Sequence, residues 1–396
     1  MSYLCLVMRN IALSFFLLIA VSVLGFQRKI VVNVPYLCDD YPVVINLDTI
    51  PGLKAKHRSQ LAVFQDGKQI ASQLDDLDRD GLPEQLALTV DATVNQIPLV
   101  LRTIKESRRQ RFTPRVYADM IYKPDKKTMN YVTEMSSDSN NMYNRMHHHG
   151  VAFESEIMAY RLYFDDKQTV DLYGKKVPRL EIEESLWYPT DEQLAQDYGD
   201  DILRVSGSVG LGTLKPWNGK KAVHYTKFKR RTQRILAAGP VRTVCELVLE
   251  GWEHDGITTD ITFRYILFAG HRDCVVEVTA NTDIDNIVTG VQKVNGGKQG
   301  LLSEQDMVGC WGTDWPVNDT VKYAKETVGL GVYVPRQYVV KNIEDKANNL
   351  LLLHYTKGET LRYFITCYSM KERGAAVTDR DSFFGYLRQW RHQISK

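Results

Sequence analysis

Short runs of β-branched and aromatic residues, broken every few positions by turn formers, constrain the fold of this chain more than any other feature. Ile30-Val31-Val32-Asn33-Val34 is followed by Pro42-Val43-Val44-Ile45-Asn46-Leu47, then by Leu61-Ala62-Val63-Phe64 and Gln69-Ile70-Ala71. Asp66-Gly67 joins the last two runs, and both residues tolerate the positive φ that a tight hairpin demands. Residues 86–90 and 97–101 add two more strands, so the spacing predicts a small β-sandwich over residues 28–103. A basic stretch over residues 102–115 reads as a connector, and residues 134–144, rich in Ser, Asp and Asn, as a long loop.

The remainder, residues 116–396, reads as a second, larger unit. Residues 152–164 are predicted as one alternating strand that turns at Asp165-Asp166-Lys167 and returns over 168–173. Long strands follow at 224–236, 241–252, 258–268 and 273–281, with a short helix capped by Thr190 over 190–198. At the end, Asp381 or Ser382 is placed to cap a helix that carries Phe383, Phe384, Leu387, Trp390 and Ile394 on one stripe. The fold class is therefore mainly β: a small sandwich, a large antiparallel sandwich and a C-terminal helix.

The first 25 residues have the layout of a secretory signal peptide: Arg9, an apolar run from 11 to 24, and small residues at Ser22 and Gly25. The run falls short of the ~20 apolar residues of a membrane span, so a periplasmic or secreted mature chain without a membrane span is expected. A formal net charge of +2 on 396 residues excludes a strongly basic nucleic-acid binder. Beyond residue 25 the cysteines are Cys38, Cys245, Cys274, Cys310 and Cys367, an odd and scattered set that makes no disulfide framework. Hydrophobic residues make up 44%, enough for packed cores in both units.

Four groups of residues can carry chemistry. Asp76, Asp78 and Asp80 precede Gly81, with Glu84 three positions later, as in the first half of a calcium loop. Ala87 at the twelfth position excludes an EF-hand, and an acidic turn explains the same residues, so no cofactor is fixed beyond a candidate structural calcium. His147-His148-His149 enters the strand that bears Glu154, Glu156 and Tyr160, predicted to share one face opposite Arg161. Imidazole and carboxylate together bind metal or move protons. His224-Tyr225-Thr226-Lys227-Phe228-Lys229, read as a strand, offers a cationic face with a phenol, suited to a polyanionic sugar chain or to a solvated strand edge. Trp217 and Trp315, beside turns, are candidate platforms for sugar rings, whereas Trp252 and Trp390 read as core.

Residues 73–84 (QLDDLDRDGLPE), 147–175 (HHHGVAFESEIMAYRLYFDDKQTVDLYGK), Gly239-Pro240-Val241-Arg242 and Gly251-Trp252 carry a resemblance. The chain resembles a family of exported bacterial proteins of unknown function, encoded beside polysaccharide-degrading enzymes. That family looks like the galactose-mutarotase-type β-supersandwich used by several polysaccharide lyases, which implies a carbohydrate ligand.

From these groups the expected activity is β-elimination on an acidic, uronate-containing oligo- or polysaccharide. Lys227, Lys229 or Arg161 would neutralise the uronate carboxylate, His149 or His224 act as base, and Tyr225 or Tyr160 as acid, with His147, Trp217 and Trp315 holding substrate. A glycoside hydrolase using Glu154 and Glu156 is the first alternative, and a non-catalytic glycan-binding protein the second.

Overall fold

The computed structural model describes residues 25–396, so the predicted signal peptide lies outside them apart from its last residue. The chain is mainly β. Near the N-terminus a four-stranded sheet, ordered Gln27–Asn33, Gln96–Thr103, Leu61–Gln65 and Lys68–Ile70, faces a three-stranded sheet of Cys38–Asn46, Gln85–Ala92 and Ser72–Asp75. Leu61, Val63, Leu86, Leu88, Leu99 and Leu101 fill the space between them. The hairpin at Asp66-Gly67 forms with φ of 50° and 80°, the handedness of a primed turn.

The rest of the chain wraps three large antiparallel sheets around one core, with a two-stranded ribbon of Ile121–Tyr122 and Asn130–Tyr131 beside them. A nine-stranded sheet runs from Glu134–Ser137 at one edge, through Arg242–His254 and Ile257–Phe268, to Leu301–Glu304 at the other. A five-stranded sheet (Asp200–Asp201, Val170–Gly174, Met158–Tyr163, Gly150–Ser155, Val116–Asp119) and a four-stranded sheet (Lys215–Pro216, Ile284–Gln292, Asn348–Tyr355, Val339–Glu344) complete the set. Phe153 and Leu162, Val291 and Leu351, and Leu247 and Phe263 meet from the three sheets in a single apolar cluster. Cys245, Cys274, Cys310 and Cys367 are buried free thiols. Trp252 belongs to this core, and Trp390 to the helix seat described next.

The C-terminal helix Arg380–Ile394 packs Phe383 and Leu387 on the nine-stranded sheet. It sits close because the sheet presents glycine: a Cβ on Gly331 would meet Leu387 at 2.3 Å, and one on Gly329 would meet Phe383 at 2.7 Å. Its cap is Asp379, not Asp381 or Ser382; Asp379 accepts from Ser382 N while the Ser382 hydroxyl accepts from Asp379 N, a reciprocal box.

Three expectations about local structure are corrected. Residues 152–164 form a hairpin, Gly150–Ser155 against Met158–Tyr163, and not one strand. Both strands are buried on both faces, so alternation could not reveal the break; the Ser155 hydroxyl makes the turn by accepting from Ile157 N and Met158 N. The strand expected from 224 starts only at Arg230, and residues 134–137 are an edge strand rather than loop.

Ionised groups join the small sandwich to the large one. Arg242, buried, donates through Nε to Asp75 Oδ2 at 2.7 Å and through Nη2 to Gln85 Oε1 at 2.7 Å. Arg115 spans Asp40 and Glu156, and Gly270 N donates to the same Glu156. His271 lies between Asp273 Oδ1 and the Asp40 carbonyl, each 2.9 Å from a ring nitrogen. A carbonyl only accepts, so Nε2 carries a proton, and the carboxylate draws a second to Nδ1. Burial opposes that charge, but Asp273 outweighs it and lifts the imidazolium to about 9.

Because the folded value exceeds the ordinary 6.5, the stabilisation is complete below pH 6.5 and is lost as pH rises through about 9. Denaturant titration between those limits should show wild-type stability falling by on the order of 3 kcal/mol, and His271→Gln should flatten that slope.

Candidate functional site

The hairpin Gly150–Ser155/Met158–Tyr163 and the return strand Val170–Gly174 place Arg161 opposite Asp171, on the sheet face away from the core. Arg161 is 4% exposed, and it donates through Nε and Nη2 to Asp171 Oδ2 at 3.0 and 2.7 Å. Nη2 also reaches Asp201 Oδ1 at 3.4 Å, and the guanidinium lies 4.5 Å from the Trp187 ring. Burial disfavours the charge, yet Asp201 and Asp171 hold its pKa well above the ordinary value. Nη1 donates to the Tyr188 hydroxyl at 3.1 Å.

Tyr188 arrives there by an unusual backbone path. Leu186 and Trp187 both adopt left-handed φ, 50° and 72°, at roughly 1–2 kcal/mol each for non-glycine residues. The swing buries Trp187 and leaves Tyr188 44% exposed at the cleft. Trp187 Nε1 donates to Asp201 Oδ1 at 2.5 Å. Asp201 Oδ2 takes no part in these bonds. Burial, with Asp171 nearby, pushes this carboxyl up to about 7 against the pull of Arg161.

His149, also at positive φ (65°), closes the group. Its Nδ1 lies 3.0 Å from the Tyr143 carbonyl and its Nε2 3.0 Å from the Tyr188 hydroxyl. The carbonyl fixes the proton on Nδ1, so Nε2 presents a lone pair and the Tyr188 hydroxyl donates to it. Burial, aided by the Arg161 charge, lowers this imidazole to about 3, so it stays neutral, and the Tyr143 ring stacks on it at 3.5 Å. Burial raises the Tyr188 phenol to about 12.

These side chains line a cleft of about 310 Å³ together with Tyr163, Lys167, Arg204 and Asn318. Leu203, Arg204, Val205, Ser206 and Asn318 also border a neighbouring cavity of about 500 Å³ that holds Trp315, Gln292 and Glu326. Both fall within the ~300–1,000 Å³ typical of small-ligand sites.

Of the residues singled out in the sequence, His149 and Arg161 meet in the first cavity and Trp315 stands in the second. The others lie elsewhere. Tyr160 and Tyr225 are fully buried core rings, their hydroxyls given to the carbonyls of Arg272 and Leu214, so neither can act as an acid. Tyr160 shares the core face with Phe153, not with Glu154, because the hairpin pairs those two rings. Glu154 is fully buried; Lys175 Nζ donates to it, and Glu181 N and Ile182 N add bonds of 2.9 and 2.8 Å. Glu156 sits in the hairpin turn and is held by Arg115 and Gly270 N. The carboxylate pair expected for hydrolysis is thus committed to structure.

His147 touches Tyr188 edge-on at 5.7 Å, but it does not line the cleft. His224 borders a separate cavity with Asp345, and Trp217 another with Asn286. Lys227 is exposed, 4.0 Å from Glu253, and Lys229 lies in a shallow recess beside Ser136; the cationic face fails because residues 224–229 are not a strand. Asp76, Asp78 and Glu84 bring oxygens within 4.8 Å of one another, a set that could hold a divalent cation, and Asp80 is outside it. Asp76 Oδ1 and Glu84 Oε2 there face no donor.

Asp171, Tyr188 and Asp201 escaped the sequence reading. The Trp187-Tyr188-Pro189 triplet and the Asp200-Asp201 pair were the available signals, and neither matches a catalytic motif.

Glu154→Ala should cost about 3–5 kcal/mol in denaturant unfolding, because it strands the buried Lys175 ammonium.

The family model described as "Domain of unknown function (DUF4861)" matches residues 38–396. No curated protein matches the chain. Among solved structures, an alpha-mannosidase from Enterococcus faecalis V583 is 10% identical with a TM-score of 0.41, covering 94% of this chain and 44% of that one. A glycosyl hydrolase family 38 protein from Enterococcus faecalis is 10% identical with a TM-score of 0.44, covering 93% and 46%. A protein assigned as an aldose 1-epimerase from Klebsiella pneumoniae is 7% identical with a TM-score of 0.30, covering 62% and 83%. This chain spans less than half the length of the two Enterococcus proteins. By the match over nearly all of its described residues, the chain belongs to the DUF4861 family.

Proposed function

We propose that this protein is an exported carbohydrate-active enzyme that cleaves uronate-containing glycans by β-elimination in the cleft over Arg161. The observation that supports it is the hydrogen-bonded chain from Arg161 Nη1 through the Tyr188 hydroxyl to His149 Nε2, with the Asp201 carboxyl facing it across the guanidinium. Elimination needs a base for the C5 proton, an acid for the leaving oxygen and positive charge near the uronate carboxylate. The Asp201 carboxylate takes the C5 proton, and Tyr188, oriented by the neutral His149, is the acid, with Arg161 holding the negative charge that develops on the phenol oxygen. The C5–H electrons form the C4–C5 double bond, the C4–O bond breaks, and the departing oxygen takes the Tyr188 proton. Lys167 and Arg204, both lining the cleft, supply charge for the carboxylate.

Burial makes this division of labour workable. It keeps His149 uncharged, so that Nε2 accepts a hydrogen bond from Tyr188 without taking its proton, and it raises Asp201 to about 7, where its carboxylate is a stronger base than an ordinary aspartate. Hydrolysis by a carboxylate pair has less support, since Glu154 and Glu156 are bound within the fold and Asp171 already accepts from Arg161, Tyr163 and Leu172 N. Binding without turnover draws support from that same pairing, because Arg161 and Asp171 already satisfy one another within the fold.

Incubation with pectic, alginate-like and glucuronate-bearing glycans, following near-ultraviolet absorbance and reducing ends together, tests the reading. Rising absorbance is expected; reducing ends alone would replace elimination with hydrolysis, and silence in both with sugar binding alone. Tyr188→Phe should lower kcat/KM by ~10²–10⁴-fold, with His149→Ala in the same range. Wild-type kcat/KM should rise as pH rises through about 7, because Asp201 then becomes the carboxylate that takes the C5 proton, and Asp201→Asn should lack that limb.

A further inference from the structure

We infer that the cavity around Trp315 is a second subsite, and that it takes an uncharged sugar residue adjoining the uronate. The substrate class is therefore a mixed chain of uronate and neutral sugar. The inference rests on the reading of the Arg161 cleft as a uronate site and adds to it the identity of the neighbouring residue.

Continuity is the first ground. The two cavities are separated only by the ridge of residues 203–206 and by Asn318, which borders both. Arg204 Nη1 donates to Asn318 Oδ1 at 3.3 Å, bridging the ridge to the loop between the strands Met307–Asp314 and Glu326–Tyr333. A chain lying across that ridge would place adjoining rings in the two cavities. At about 500 Å³, the second exceeds the first and has room for a pyranose ring.

Lining chemistry is the second ground. Trp315 is half-buried on this wall, and Lys325 Nζ lies 5.6 Å from its ring. An indole face suits the C–H face of a sugar ring. Lys325 is not among the residues that line the cavity, and the charges that do line it leave no surplus cation for a second carboxylate. Lys293 is spent on Glu344 at 2.6 Å, and Glu326 is paired with Lys371 at 2.7 Å. What remains is Arg204 against Asp314, which accepts from Trp315 N through one oxygen only. A carboxylate bound in this cavity would meet Asp314 with Arg204 alone to offset it, and Glu326, whose Lys371 is shared with Asp200, a like-charge cost that a hydroxylated neutral ring avoids. The Arg161 cleft differs, since both Arg204 and Lys167 line it, the latter only loosely paired with Asp165 at 3.5 Å.

Calorimetric titration of the mature chain carrying Tyr188→Phe, which leaves ligands uncut, compares two kinds of probe. Uronate-only oligomers are di- and tetragalacturonate and di- and tetramannuronate; mixed oligomers are galacturonate–rhamnose and glucuronate–xylose chains of two and four residues. A mixed dimer is expected to bind at least about tenfold more tightly than its uronate monosaccharide, the worth of one well-stacked ring. Uronate-only dimers should gain less than about twofold. Trp315→Ala should erase the gain for the mixed dimer and Trp315→Phe, which keeps an aromatic face, should retain most of it. Equal gain for uronate-only chains, or a gain that survives Trp315→Ala, would overturn the subsite. Uronate monosaccharide binding with no dependence on length would overturn the subsite and leave the reading of the Arg161 cleft intact. Absence of binding by every probe would sink both.

Discussion

A single buried positive charge organises the sheet that carries the candidate site. Arg161 lies on a strand with almost no solvent contact, where an uncompensated ion costs several kcal/mol. The surrounding residues answer that demand from three directions: Asp171 from the next strand, Asp201 from the sheet edge, and the Trp187 ring. Compensation then determines which groups are left facing the cleft. Asp171 is consumed by the task, whereas Asp201 is shared with Trp187 and retains an oxygen for the cleft. The same guanidinium reaches Tyr188, so one cation ties the phenol, the carboxyl and the imidazole into one unit.

A similar logic governs the seam between the small and large sandwiches. Gln73 and Asp75 on one side receive Val241 N, Arg242 N and the Arg242 side chain on the other, so segments about 170 positions apart in sequence meet at one buried contact. Apolar contact reinforces it, since Leu77 and Ala87 share a cluster with Val241 and Phe268. Polar groups set the register of the docking and apolar area adds strength.

The architecture was legible in the sequence because strand-length runs and turn residues are local signals. The Asp66-Gly67 hairpin and the Thr190 cap formed as their chemistry dictates. Legibility failed where burial or backbone strain replaced the local pattern. The 150–163 hairpin, buried on both faces, shows no alternation, and its turn is closed by a serine hydroxyl instead of glycine or proline. That error set Glu154 and Tyr160 on a shared face and suggested a catalytic surface where a core and a buried ion pair exist. His149 and Arg161 were visible as chemistry-bearing residues. Their partner Tyr188 was not, since Leu186 and Trp187 reach left-handed conformations that neither residue type advertises. Asp201 was hidden for another reason: its importance arises from contact with Arg161, 40 positions earlier.

The strand Asp200–Asp201 is two residues long, and in a strand neighbours face opposite ways. Asp200 is held by Lys371, which also binds Glu326 on the wall of the larger cavity, whereas Asp201 turns to Arg161 in the smaller one. Parity therefore links the two chambers. Loss or gain of one residue in the preceding loop would exchange the roles of the two aspartates and disturb both chambers together. Lineages that diversify this scaffold should vary the length of that loop in steps of two, or alter the ridge at 203–206 beyond it, if each chamber is to evolve separately.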